Sequence, residues 1–144
     1  MNTDTGRCEC QAGFGGDGTN PSVGCMPCDT TSYKSGVGNT LCTACPPGAS
    51  ISNGVTDATN ADSCLCGTNM QMNADTDRCE CDAGYGGDAT NAGIGCSACG
   101  SFAFKANHVN GACTPCPSGA SILSGVVNAT NSDSCQCGAN AVLN

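Results

Sequence analysis

CTACPPGASISNGVTDATNADSCLC (Cys42–Cys66) returns almost unchanged as CTPCPSGASILSGVVNATNSDSCQC (Cys113–Cys137). The offset between the copies is 71 residues, and at that offset all sixteen cysteines superimpose without a gap: 8 on 79, 10 on 81, 25 on 96, 28 on 99, 42 on 113, 45 on 116, 64 on 135 and 66 on 137. The period marks two tandem cysteine-rich repeats, 1–71 and 72–142, and makes 143–144 the start of a further repeat or a tail. More than half of the aligned positions are identical. Met1 aligns with Met72, and Leu143-Asn144 with Met72-Asn73. The expectation is therefore an excerpt or processed piece of a longer array, the alternative being a complete two-repeat secreted protein after leader removal. The opening NTDTGRC has neither the basic start nor the apolar run of a signal peptide.

Composition explains why the cysteines organise the chain. Five aromatics, no Trp and 21 Gly in 144 residues leave little large apolar surface for a core. Sixteen Cys in that length exceeds the ~8–10% that marks a disulfide scaffold. Small units with poor cores depend on such staples. Disulfides persist in secreted and cell-surface settings and are rare in the cytosol, so the expected location is extracellular or on the cell surface.

Twelve acidic residues against Arg7, Lys34, Arg78 and Lys105 give a net charge of −8. That charge repels phosphate backbones and anionic lipid, which argues against nucleic acid as a partner and favours solubility of a sparse surface. No run of about 18 apolar residues is present, so no direct membrane span is expected.

Within each repeat the cysteines read CxC, a loop, CxxC, a loop, CxxC, a loop, CxC. Cysteines two or three apart rarely pair with each other, because a bridge needs Cα atoms about 4.4–6.8 Å apart with Cβ atoms facing. The economical scheme closes the long loops: Cys10–Cys25, Cys28–Cys42, Cys45–Cys64, Cys66–Cys79, Cys81–Cys96, Cys99–Cys113 and Cys116–Cys135. Cys8 and Cys137 are left for inter-repeat or inter-chain bridges. Eight cysteines per repeat still allow on the order of a hundred connectivities, and an interleaved scheme is the main rival.

No sustained helical apolar period exists, so the expected fold is small, disulfide-rich and mostly irregular, with short β-hairpins in an elongated array. Ser50-Ile51 with Gly54-Val55, and Ile122-Leu123 with Val126-Val127, suggest short strands around turns. Asn53-Gly54 is expected at the tip of the first, since that dipeptide tolerates the positive φ of a tight turn. The glycines of QAGFGGDGTN after Cys10 and DAGYGGDATN after Cys81 permit conformations closed to other residues, with Phe14 and Tyr85 expected over the local disulfide. The loops 29–41 and 100–112 differ most between copies and are candidate contact surfaces.

Chemistry-bearing motifs are few. Cys25, Cys28, Cys42 and Cys45, with Cys96, Cys99, Cys113 and Cys116, have the grammar of a four-thiolate zinc site, but zinc would leave the CxC doublets unexplained. A redox-active CxxC needs a βαβ context, which the sequence lacks. His108, the one histidine, aligns with Val37, and no Ser-His or Cys-His pair can be assembled around a copy-specific residue in a variable loop. Asp57, Asn60 and Asp62, with Asn128, Asn131 and Asp133, offer oxygen ligands at a spacing that turn-capping explains equally well. No cofactor, resident metal or enzymatic activity is expected. Asn128-Ala129-Thr130 is an N-glycosylation acceptor, with Asp57 in its place in the first repeat.

CPPGASISNGVTDATNADSCLC (45–66) and CPSGASILSGVVNATNSDSCQC (116–137) give the pattern CPxG…SCxC, which resembles the cysteine-rich repeats of ciliate surface immobilisation antigens. It is also similar to ephrin-receptor-type and growth-factor-receptor cysteine-rich modules. CECQAGFGGDG from Cys8 and CECDAGYGGDA from Cys79 resemble the closing half of an EGF-like module, though the 10-to-25 gap is longer and the acidic calcium signature is missing. The resemblance implies an extracellular, disulfide-linked repeat in a cell coat. The expected function is thus structural, with copies associating head to tail in a surface coat or fibre and with glycans as further partners. The alternative is a ligand-binding or adhesive ectodomain contacting its partner through the loops around Tyr33 and Phe102–Phe104.

Overall fold

A computed structural model describes residue 4 and residues 6–142. The chain divides into two compact units, Met1–Cys66 and Gly67–Asn144. Among the described residues there is no α-helix, and every sheet is a two-stranded antiparallel pair.

In the first unit β1 (Phe14–Asp17) pairs with β2 (Gly24–Pro27), β3 (Ser32–Tyr33) with β4 (Thr43–Ala44), and β5 (Ala49–Ile51) with β6 (Cys64–Cys66). The second unit adds a hairpin at its start, β7 (Met70–Asn73) with β8 (Arg78–Cys81). It then repeats the pattern with β9 (Tyr85–Asp88) and β10 (Gly95–Ala98), β11 (Ala103–Phe104) and β12 (Thr114–Pro115), β13 (Ala120–Ile122) and β14 (Cys135–Cys137).

Isolated two-stranded hairpins are marginal in water. Disulfides supply what the hairpins lack. Cys10–Cys25, Cys28–Cys42 and Cys45–Cys64 bridge the first unit, and Cys81–Cys96, Cys99–Cys113 and Cys116–Cys135 the second. Each closes a separation of 14, 15 or 19 residues. A closed loop of about 15 residues restricts the unfolded chain by roughly 3 kcal/mol. Cys66 and Cys79 are also disulfide-bonded, Cys79 with no exposed surface.

The apolar core is correspondingly slight. In the second unit Ala120, Ile122, Ala129 and Cys135 form a buried cluster against which Phe104 and Cys116 pack. Ala49, Ile51, Ala58 and Cys64, 71 positions earlier, are buried in the first. Main-chain bonds between loops repeat at the same offset. Ile51 N–H donates to Thr30 O at 2.7 Å and Ile122 N–H to Ser101 O at 2.7 Å. Lys34 N–H donates to Ala58 O at 3.0 Å and Lys105 N–H to Ala129 O at 3.0 Å.

The local strand pairs expected around Asn53-Gly54 do not form. Ser52–Gly54 is a single 3-10 turn, and Ile51 pairs with Cys64 rather than with Val55. Burial decides this: Ile51 and Cys64 both enter the core, whereas Val55 is half exposed. Ile122 likewise pairs with Cys135, and Val126 lies outside any strand.

Among the glycines that close approach requires, two in each unit pack against segments distant in sequence. A Cβ on Gly13, whose φ is +82°, would lie 2.3 Å from Asp57 O, and one on Gly15 would lie 2.8 Å from Cys42 Sγ. Gly84, φ +83°, meets Asn128 O at 2.3 Å, and Gly86 meets Cys113 Sγ at 2.7 Å. The glycine-rich loop thus lets the backbone pack directly on the second bridge and on the 57–59 or 128–130 segment.

Candidate functional site

The residues that freeze each unit are the two lysines, which the sequence presents only as charge. Lys34 and Lys105 are 5% and 6% exposed. Lys34 Nζ donates to three backbone carbonyls, those of Phe14 at 2.7 Å, Gly38 at 2.5 Å and Cys10 at 3.4 Å. Lys105 Nζ donates to Tyr85 O at 2.8 Å and to Val109 O. An ammonium has three protons and no acceptor, so carbonyl oxygens are what it needs once buried. Burial nevertheless holds the Lys105 amine below the ordinary lysine range, with Glu80 and Asp82 opposing that shift.

A carboxamide completes the frame. Asn39 Oδ1 accepts from Cys10 N–H at 3.1 Å and Gly18 N–H at 2.9 Å, while Nδ2 donates to Cys8 O at 3.1 Å. Asn110 Oδ1 accepts from Cys81 N–H at 3.1 Å and Ala89 N–H at 3.0 Å, and its Nδ2 donates to Cys79 O at 3.4 Å and Asp88 Oδ1 at 3.1 Å. The loops 29–41 and 100–112 therefore carry internal anchors as well as their variable surface. All four residues recur at the 71-residue offset, which is the signal by which the sequence could have exposed them.

The candidate site is the pair of thiols outside the bridges, Cys8, exposed, and Cys137, half-buried. Each stands on an ordered backbone. Cys8 is held through its carbonyl by Asn39, as Cys79 is by Asn110. Cys137 faces Ala120 across the β13–β14 pair, and Cys66 faces Ala49 across β5–β6. Cys66 and Cys79 are oxidised in those frames. Cys8 and Cys137 are unpaired in equivalent ones.

The remaining candidate residues fall elsewhere. Cys25, Cys28, Cys42 and Cys45 belong to three separate disulfides, as do Cys96, Cys99, Cys113 and Cys116. Their sulfurs are therefore not the thiolates a zinc centre uses. Asn60 Oδ1 accepts from Asp62 N–H at 2.5 Å, and Asn131 Oδ1 from Ser134 N–H at 3.2 Å, so both cap the short turns that follow them. Among the described residues no three His, Cys, Asp or Glu side chains converge on one point.

Phe14 shares a shallow hollow with Cys10 and Cys25. Phe104 packs in the core of the second unit and Tyr33 is half-buried, which leaves Phe102, 70% exposed, as the open aromatic of the variable loops. His108 and Asn128 are exposed.

These features define a small disulfide-stapled protein of short hairpins with two thiols outside its bridges. The chain matches no protein-family model, and no curated protein matches it in sequence.

Proposed function

We propose that the protein is an extracellular structural repeat that joins copies of itself end to end, Cys137 of one chain to Cys8 of the next, in a cell-surface coat or fibre. The observation that carries this is the state of the four equivalent cysteines. Cys66 and Cys79 are disulfide-bonded, whereas Cys8 and Cys137 hold matching backbone positions and are free. A contact between two different surfaces of identical chains does not close on itself, so repetition yields a filament.

The step forms one S–S bond from two thiols. Two protons and two electrons pass to a disulfide oxidant, an oxidised dithiol oxidoreductase or a low-molecular-weight disulfide, which leaves as thiols. The oxidising compartment that keeps the other bridges supplies such an oxidant. The role is structural rather than catalytic, as in the ciliate surface-coat repeats that the sequence resembles.

Light scattering and electron microscopy of the oxidised protein test the reading. Linear oligomers that dissolve on mild reduction, and that Cys8→Ser or Cys137→Ser abolishes because each variant lacks one partner of the Cys137–Cys8 bridge, are the expected result. A monodisperse, non-associating protein under the same oxidant would sink it.

The adhesive alternative has one observation in its favour, the exposed ring of Phe102. It requires that Phe102→Ala abolish partner binding while leaving association intact.

A further inference from the structure

We infer that the second repeat alone carries an N-linked glycan, on Asn128, and that a difference between the two units at one corner of the fold sets this asymmetry. The inference rests on extracellular placement but not on end-to-end association.

The acceptor triplet is Asn128-Ala129-Thr130. Its two reactive positions are exposed, while Ala129 between them is 3% exposed and accepts a bond from Lys105 N–H at 3.0 Å. Val127 O accepts from Gly100 N–H at 2.8 Å. The backbone is thus pinned on both sides while the carboxamide and the hydroxyl face solvent, so a bulky polar substituent can be carried without opening the core.

The corresponding triplet of the first repeat is Asp57-Ala58-Thr59, with Ala58 buried and Thr59 exposed in the same way. Only the reactive nitrogen is missing. A second change accompanies it. Asn128 Nδ2 lies 3.5 Å from the hydroxyl of Tyr85, and the first repeat has Phe14 at that position, with no hydroxyl. An N-linked carboxamide keeps one N–H, so a glycosylated Asn128 can still donate to Tyr85 Oη and stay oriented.

In the transfer, Asn128 Nδ2 bonds to the anomeric carbon of an oligosaccharide carried on a lipid pyrophosphate. The bond from that carbon to the pyrophosphate oxygen breaks, the amide loses one proton, and the lipid pyrophosphate departs. No oxidant or reductant is involved.

The test is secretion of the full chain, behind a cleavable leader, from a eukaryotic host, with glycopeptide mapping of material from the medium and from the secretory lumen. Wild type is expected to carry one N-glycan, at Asn128, removable by an amidase that leaves Asp there. Thr130→Ala, which removes an exposed hydroxyl and leaves the Tyr85 contact, is expected to carry none. Asp57→Asn supplies a control acceptor on the matching loop and is expected to add a second glycan. An unmodified Asn128 overturns the inference, whether Asp57→Asn is glycosylated or bare. A bare Asn128 in protein whose bridges have formed leaves the extracellular reading standing.

Discussion

Lys34 Nζ donates to the carbonyl of Phe14 at 2.7 Å, tying the second long loop of the unit to the strand inside the loop that Cys10–Cys25 closes. The same bond recurs between Lys105 and Tyr85 at 2.8 Å. These buried ammonium groups act as non-covalent staples beside the sulfur ones.

Lys34→Met keeps the aliphatic stem and leaves the carbonyls of Phe14, Gly38 and Cys10 without their common donor. Bonds to a charged donor are worth about 1.5–3 kcal/mol, and stranded acceptors add a desolvation cost. Destabilisation of about 3 kcal/mol is expected in denaturant unfolding of the fully bridged protein. Arg7→Gln, on an exposed side chain, is expected to stay within about 0.5 kcal/mol of wild type. Equal effects from the two substitutions would contradict the staple role.

Gly13 and Gly24 both have positive φ, +82° and +64°, but only Gly13 has a backbone oxygen where its Cβ would go. Gly24→Ala is expected to cost about 1–2 kcal/mol, the price of the left-handed conformation alone. Gly13→Ala must also displace Asp57 O and is expected to lower the yield of correctly bridged protein on oxidative refolding, read by non-reducing chromatography.

Acid is expected to weaken the fold. The Asn73 carboxamide, with Arg78 and Thr76, holds the buried Glu80 carboxyl below the usual range against the opposing effect of burial. Thr19, Thr31 and Thr90 lower Asp17, Asp29 and Asp88 in the same direction. A depressed folded-state pKa contributes stability that is present above the unfolded value and lost as pH falls through the folded one. Unfolding free energy should therefore be level from neutrality to about pH 5 and fall below the ordinary carboxylate range of about 4. Glu80→Gln should flatten part of that fall. A profile insensitive to acid would exclude these bonds as contributors.

Removing one bridge tests how far the sulfur framework substitutes for a core. Replacing Cys116 and Cys135 together by Ala opens a loop of separation 19 and empties part of the Ala120–Ile122–Ala129 cluster. A loss of about 3 kcal/mol or more is expected, from loop entropy and the lost packing. An unchanged midpoint would mean that the hairpins stand without it.

Cysteine density and the lack of large apolar side chains made the disulfide-rich, hairpin-only class legible, because no other composition forces so small a core. Strand partners were less accessible. Ile51 sits beside a good turn dipeptide, yet it pairs across thirteen positions with Cys64, because both are buried where a local hairpin would have left Ile51 with the exposed Val55. Local turn propensity says nothing of burial. Lys34 and Asn39 were hidden for a related reason: in a variable, polar loop both types usually face water, and only their recurrence as Lys105 and Asn110 marks them as anchors. The two thiols could be named by counting, but their backbone settings rest on Asn39 and on the Ala120–Cys137 register, which depend on the folded structure.

The most direct test of end-to-end joining is to mix isotope-labelled and unlabelled chains, oxidise them together and map non-reduced peptides by mass spectrometry. A mixed-isotope peptide pair linking Cys137 to Cys8 is predicted, in proportion to the mixing ratio and absent from Cys8→Ser protein. Thiols that stay free, or a Cys8–Cys137 link found only within single chains, would contradict it.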